Sequence, residues 1–456
     1  MTFPLIQQLR YQPDSAVRFT ALLHCAWPIF LDSGHPQITQ GRYDILSADP
    51  HTTLVTQGLH TRIRSVHGER ISQAEPLALV DETLGARRIN TTGLPFIGGA
   101  MGYFGYDLAR RLRRLPSWAQ DAEGIPEMAV GLYDWALVVD HQDRTAHLVG
   151  TNPAQLTHYA AQFARAEAGI KVKHSMRYRV RESVRTNVTR AQYLEAITRI
   201  HRYLHAGDCY QVNLARRFAA VADGDPWDAY QHLRVLNPAP FSAYFALPDC
   251  QVLCSSPERF LRVREGLVET QPIKGTSPRS SNPLIDQELA EALQRSPKDR
   301  AENLMIVDLL RNDLGRVCVP GSIAVPRLFA IESYARVHHL VSQVTGRLAA
   351  EHSAVDLLRA CFPGGSVTGA PKQRAMEIIE ELEPQRRGVY CGAIGYLGCD
   401  GAMDTNIAIR TLIHSGGVTR FWAGGGIVAD SDPAAEFQET ADKAAALLDV
   451  LAQMRD

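Results

Sequence analysis

The chain has 456 residues, room for two domains or one large composite one, and its 45% hydrophobic and 21% charged residues are those of an ordinary globular protein. With 48 basic and 49 acidic side chains the net charge is −1, which excludes a global field for nucleic acid or an anionic membrane and leaves specificity to a local site. The eight cysteines are scattered without a CxxC pair, no apolar run nears the ~18 residues of a membrane span, and residues 1–10 lack a basic-then-apolar leader. These features predict a cytoplasmic protein with no disulfide framework, no zinc site, and neither membrane nor nucleic acid as partner.

From 16 to about 150, short apolar runs broken by turns (27–31, 43–46, 53–55, 133–140) predict antiparallel strands. Residues 96–107 are rich in glycine and aromatics but lack dinucleotide-fingerprint spacing, which predicts close backbone packing between sheets. Residues 151–190 change character, with an alanine-rich helix over 154–168 and a basic, polar stretch over 174–187. They divide the sequence into an N-terminal region, 1–150, a connecting segment, 151–190, and a C-terminal region, 191–456.

Thr189 is placed to cap a helix over 190–205. A strand over 210–214, a helix over 226–236 and strands over 242–247, 251–255, 260–264 and 267–270 follow. Helices are predicted over 283–293 and 298–311, a strand near 341–344, and helices over 354–361 and 370–382 on either side of a glycine turn. Strands over 392–396, 405–412 and 420–423 precede a last helix over 433–454. Strand runs mixed with long helices argue for α+β with large antiparallel sheets, and no fixed-period repeat is present.

Several stretches carry chemistry. Lys274 follows strand-like residues and precedes Gly275, so it reads either as a solvated strand-end lysine or as a nucleophile. Asp299 and Glu302, and again Glu436 and Glu439, lie at i and i+3, placing each carboxylate pair on one helix face. Such pairs suit a hard cation such as Mg²⁺ or a salt-bridged solvated face, and Lys443 one turn beyond Glu439 fits the latter. The turn over 363–372 leads into a helix but has Ala370-Pro371 where a P-loop needs Lys and Ser or Thr, which speaks against nucleotide binding. Gly424, Gly425 and Gly426 follow a strand and form either a carboxylate cradle or a crowded turn. His338 and His339 open an apolar strand, where a packed histidine is commoner than a catalyst. Arg410, inside the predicted strand over 405–412, needs an anionic partner if buried. No Gly-x-Ser-x-Gly or Gly-x-Cys-x-Gly elbow suggests a built-in glutaminase.

Together the stretches Asp208-Cys-Tyr-Gln-Val-Asn-Leu214, Ser256-Pro-Glu-Arg259, Pro272-Ile-Lys-Gly-Thr276, Ala301-Glu-Asn-Leu-Met-Ile-Val-Asp-Leu-Leu-Arg-Asn-Asp313, Val337-His-His-Leu-Val-Ser342, Gly369-Ala-Pro-Lys372 and Phe437-Gln-Glu-Thr440 resemble the chorismate-utilising enzymes. With Gly102-Tyr-Phe-Gly-Tyr-Asp107 the resemblance spans nearly the whole chain. It implies two large, mainly antiparallel sheets packed as a sandwich, helices outside and between, with the sequence regions interleaved. Isochorismate and salicylate synthases carry a water-activating lysine where this chain has Gln211, and anthranilate synthases carry alanine where it has Lys274. The chain is similar in both positions to the branch that aminates chorismate at carbon 4, with anthranilate synthesis or a non-catalytic subunit as alternatives.

The resemblance also implies roles. Lys274 would attack carbon 2 and Glu258 would protonate the leaving hydroxyl, before ammonia from a separate glutamine amidotransferase subunit, a heterodimer partner, displaces the lysine. Mg²⁺ would sit on Glu302 and Glu439 with help from Glu436 and Asp299. Arg410, Lys443, Tyr390 and the amides of Gly424, Gly425 and Gly426 would hold the enolpyruvyl carboxylate, with Gly275, Thr276 and His339 nearby. A bound tryptophan would involve Ser33, Gln40, Gly41, Arg42, Tyr43, Pro240, Phe241 and Ser242. Free lysine is only roughly 0.04% neutral at pH 7, and lowering its pKa to about 7–8 amounts to ~3–5 kcal/mol, which desolvation, Mg²⁺ or Arg410 would supply against an anionic Glu258.

Overall fold

The strand-like runs assemble into two antiparallel sheets, of thirteen and twelve strands, in a computed structural model that describes residues 4–169, 176–334 and 337–455. The larger sheet starts at Leu5–Leu9, passes through Trp135–Asp140, Ile29–Asp32 and Phe241–Ala246, and continues to Val418–Ile427 and Gln211–Asp223. The smaller begins with Ile273–Pro278 and Val337–Arg347, has Arg259–Arg264 and Met403–Ile407 further in, and ends at Gly68–Ser72. Both sheets take strands from either side of the 151–190 segment.

Alternation along each strand decides the layers. Phe245 and Val252 of the larger sheet and Met101, Val130 and Ile394 of the smaller share one buried cluster. The larger sheet's other face buries Phe421 and Leu253 with Phe163, Trp227 and Leu447 from the helices Pro153–Glu167, Pro226–Leu236 and Pro433–Gln453. A third cluster sets Ile197 of Arg190–His205 and Ile378 of Lys372–Leu382 against Val212 and Leu214. Each such side chain contributes roughly 1.5–3 kcal/mol by leaving water. Helix starts follow their caps: Thr189 forms a capping box with Gln192, Ser296 accepts from Asp299 N, and Asp432 accepts from Ala435 N.

Four expectations change. The run over 405–412 is two strands, Met403–Ile407 in the smaller sheet and Thr411–Ser415 in the larger, because the chain crosses between sheets at 408–410. Both halves are buried, so the apolar pattern continues through the break. Gly424, Gly425 and Gly426 are not a turn but part of Val418–Ile427, paired with Ala215, Leu214 and Asn213. Gly102 serves close approach within a sheet: a Cβ there would lie 2.1 Å from Ala129 O of the neighbouring strand. Ala324–Ser333 is a strand that the sequence pattern did not suggest. All eight cysteine thiols are unpaired, and no described helix is long and apolar enough to cross a membrane.

Candidate active site

A cavity of about 650 Å³ lies between the edge strand Ile273–Pro278, the helices Pro297–Leu314 and Pro433–Gln453, and the glycine end of Val418–Ile427. Lys274 enters it from a distorted strand. Ile273 pairs with Val341, but the register slips before Thr276 pairs with His339. Gly275 sits in this irregularity with φ 83°, a conformation glycine takes without cost. A Cβ on Gly275 would lie 2.8 Å from Asp299 Oδ1 and 2.9 Å from Leu293 Cδ1, so the glycine also admits the neighbouring helices.

Lys274 Nζ donates to the Ser366 carbonyl at 3.4 Å, and its remaining exposure is to the cavity. Burial lowers its pKa, with Lys443 acting the same way and Glu302 and Glu258 opposing. Glu258 is buried and accepts the Ser366 hydroxyl at 2.8 Å. Burial raises its pKa to about 7, against the lowering pull of that hydrogen bond and of Lys274. An amine pushed toward neutrality and a carboxyl that keeps its proton up to about pH 7 therefore face one cavity.

The four carboxylates Asp299, Glu302, Glu436 and Glu439 line the same cavity from two helices. Lysines occupy part of the space between them: Lys443 Nζ lies 2.5 Å from Glu439 Oε1 and Lys298 Nζ 3.7 Å from Glu436 Oε1. Among the described residues no three potential ligands are gathered closely enough to hold a metal ion. The donors nonetheless fit a hard cation in kind, all being carboxylate oxygens. Glu436 Oε2 is buried without a hydrogen-bond partner among the described residues, and a Cβ on Gly425 would come within 3.0 Å of it. Burial pushes the Glu302 carboxyl up. It also opposes ionisation of Glu439, where the charge and hydrogen bond of Lys443 prevail and hold the carboxyl low.

Arg410 sits at the crossover between the sheets, with φ 54°, and burial with little anionic compensation lowers its pKa. Its guanidinium donates to the Lys443 carbonyl, while Lys443 Nζ donates to Gly424 O at 3.1 Å. Tyr390 lines the cavity with its ring stacked on Trp422, centroids 6.0 Å apart. The adjacent histidines diverge, as strand alternation requires. His338 is buried between Ser333 and Asp286. His339 lines the cavity, bonds Thr276 Oγ1 at 3.0 Å, and is kept neutral by burial and then by Arg410, its pKa lowered to about 4.

Gly425 is the one expected residue of this group off the cavity wall; a Cβ on it would meet Glu436 Oε2 at 3.0 Å and Glu439 Oε1 at 3.8 Å, so these two wall carboxylates cover it. Ser366 and Asn213 are wall residues to which the sequence assigned no role. Ser366 lies in the 363–372 turn, noted for its backbone rather than its hydroxyl. Asn213 belongs to a family stretch, and its Oδ1 has no partner among the described residues. Lys372, at the end of that turn, points away into a buried ion pair with Asp313 at 2.7 Å.

A second cavity, of about 580 Å³, is lined by Gln40, Gly41, Arg42, Tyr43, Pro240, Phe241 and Ser242. Ser33 is not on its wall. Its hydroxyl and amide are both spent on buried Asp44, at 2.6 and 2.8 Å, which turns the side chain inward. Pro257 and Ile273, each one residue before Glu258 and Lys274, line both cavities.

A family model described as chorismate binding enzyme matches residues 37–449. Component 1 of aminodeoxychorismate synthase from Klebsiella aerogenes is 50% identical over 449 residues, covering 97% of this chain and 98% of that protein. Anthranilate synthase component 1 of Pseudomonas aeruginosa is 41% identical, covering 90% and 87%. The crystal structure of anthranilate synthase component I from Streptococcus pneumoniae TIGR4 superimposes with a TM-score of 0.80 at 32% identity, covering 90% of this chain and 93% of that one. The two-sheet α+β architecture is thus that of anthranilate synthase component I, and the chain belongs to the family of chorismate-binding enzymes.

Proposed function

We propose that the chain replaces the carbon 4 hydroxyl of chorismate by an amino group, yielding 4-amino-4-deoxychorismate, a precursor of para-aminobenzoate and folate. The observation that carries this reading is the cavity shared by Lys274, its pKa lowered, and Glu258, its pKa raised to about 7. Names of similar relatives, aminodeoxychorismate synthase component 1, support the same choice.

Neutral Lys274 adds through Nζ to carbon 2 while the ring double bonds shift and the carbon 4–oxygen bond breaks. Glu258 gives its proton to the departing oxygen, so water leaves. Ammonia then bonds to carbon 4 as the lysine–carbon 2 bond breaks, returning Lys274 as an amine, and the surplus proton on nitrogen goes back to Glu258. The enolpyruvyl group stays on the ring. Arg410, Lys443, Tyr390 and the backbone around Gly424 and Gly426 hold the enolpyruvyl carboxylate, with Gly275 and Thr276 beside it. Neutral His339 lies by the leaving group or the ring carboxylate.

Glu302, Glu439, Glu436 and Asp299 would hold Mg²⁺ once Lys443 and Lys298 release their carboxylates. When bound, the ion would neutralise the ring carboxylate. The ammonia comes from a glutamine amidotransferase subunit, a reading supported by the "component 1" of the relatives' names. The second cavity takes tryptophan.

Incubating the purified chain with chorismate, Mg²⁺ and ammonium salt tests the reading. The expected product carries an amine and keeps the enolpyruvyl group, and mass spectrometry of quenched enzyme finds a ring adduct on the peptide holding Lys274. Fluorescent anthranilate with released pyruvate, isochorismate, or no turnover overturns it.

A further inference from the structure

We propose that a third cavity, of about 500 Å³, is a binding site for a small polyanion, a molecule with two or more phosphate or carboxylate groups. Its wall gathers Arg42, Arg87, Arg88, Arg259, Arg262 and Arg264 against three carboxylates, Glu265, Asp400 and Asp404. The whole chain carries a net charge of −1, so this concentration of arginine is local.

Three of the six guanidiniums are neutralised from within. Arg42 pairs with Asp140 at 2.7 Å, Arg259 with Asp404 at 3.0 Å, and Arg262 with Glu269 at 3.0 Å. Arg87, Arg88 and Arg264 make no ion pair among the described residues, and two of them are nonetheless held in place. The Nε of Arg87 donates to the main-chain carbonyl of Asp400. Its guanidinium also fills the space that a side chain at Gly401 would need: a Cβ there would lie 2.8 Å from Arg87 Nε, in a turn with φ 82° that suits glycine. Arg264 Nη2 donates to Gly93 O at 2.6 Å. A neutral carbonyl orients a guanidinium without cancelling its charge, so both forks keep donors for a ligand.

The Asp400 carboxylate is engaged elsewhere, accepting from Asn90 Nδ2 at 2.8 Å, and the same Nδ2 donates to Leu94 O at 2.9 Å. Asn90 thereby ties this part of the wall to Asp400. The size falls within the ~300–1,000 Å³ of small-molecule sites, and an arginine fork matches phosphate or carboxylate oxygens two at a time. Arg42, Arg259, Arg262 and Tyr396 also line the second cavity, so a polyanion held here lies against the side chains that would enclose an occupant there.

Isothermal titration of the full chain in Mg²⁺-free buffer, with inorganic pyrophosphate and separately with citrate as probes, tests the proposal. Saturable one-to-one binding of at least one probe is expected, weakening as salt rises. In R87Q/R264Q the affinity falls at least about tenfold, the loss expected for removing two charge-assisted forks, while thermal unfolding is unchanged. Binding of pyrophosphate alone assigns the site to phosphates, of citrate alone to carboxylates, and either supports it. No saturable binding of either probe at millimolar concentration overturns the proposal. So does binding that R87Q/R264Q leaves intact, which would put the anion on the cations of the active cavity.

Discussion

Lys274 and Glu258 hang on opposite ends of one residue: the Ser366 hydroxyl donates to Glu258 Oε1 at 2.8 Å and the Ser366 carbonyl accepts from Lys274 Nζ at 3.4 Å. The two groups thus meet across a residue from a third segment, and each carries the charge that would pull the other back toward its ordinary state. Burial outweighs that pull on both sides.

This arrangement predicts a bell-shaped pH profile for ammonia-dependent turnover at fixed free ammonia. Turnover requires Lys274 without its extra proton and Glu258 with its own, so one limb, near pH 7, is set by Glu258 and the other by Lys274 as its coupled partner. Ser366→Ala removes a hydrogen bond that favours the ionised carboxylate, so the limb near pH 7 moves to higher pH. A limb near pH 7 that stays where it was in Ser366→Ala would show that Glu258 is not the titrating acid. Lys274→Ala is expected to lose about three orders of magnitude in kcat, and full activity in that variant would rule out the covalent route.

Glu258 also predicts a pH-dependent stability. Its folded pKa of about 7 lies above the ordinary 4.5, so the folded state binds the proton more tightly than the unfolded one. Stability from this group is complete below about pH 4.5, falls as pH rises toward 7, and is lost above that, by about 3 kcal/mol. Glu258→Gln carries no proton to lose. Denaturant unfolding should find the variant more stable than wild type at pH 8 and not at pH 4, and equal differences at both would contradict the buried neutral carboxyl.

Metal removal gives a third expectation. EDTA abolishes turnover and Mg²⁺ restores it. Glu436→Gln is expected to raise the half-saturating Mg²⁺ concentration by on the order of 10-fold, because it replaces a carboxylate whose Oε2 has no hydrogen-bond partner among the described residues. Turnover that persists in EDTA would remove Mg²⁺ from the mechanism.

The second cavity yields a fourth. Equilibrium dialysis should find one labelled tryptophan per chain, and none in Gly41→Ala, where a Cβ would lie 2.2 Å from Ser33 O and force the lining segment to move. Retention of tryptophan by that variant would place the ligand elsewhere.

Much of the fold was legible in the sequence because local physics decides it. The helices over 190–205, 226–236 and 354–361 begin and end as their caps and periodicity require. The motif stretches named the family and led to Lys274, Glu258 and the carboxylate pairs, since these residue types in that order survive as a linear record. Tertiary structure alone decided the rest. It split the apolar run over 405–412 between two sheets, because burial reads the same in either, and so set Arg410 at the crossover. Ser366 joined Lys274 to Glu258 from 92 and 108 residues away, a contact no local pattern encodes. The pKa of Lys274 was also beyond the sequence, which shows an ordinary lysine; the protein packed around the cavity disfavours its charge.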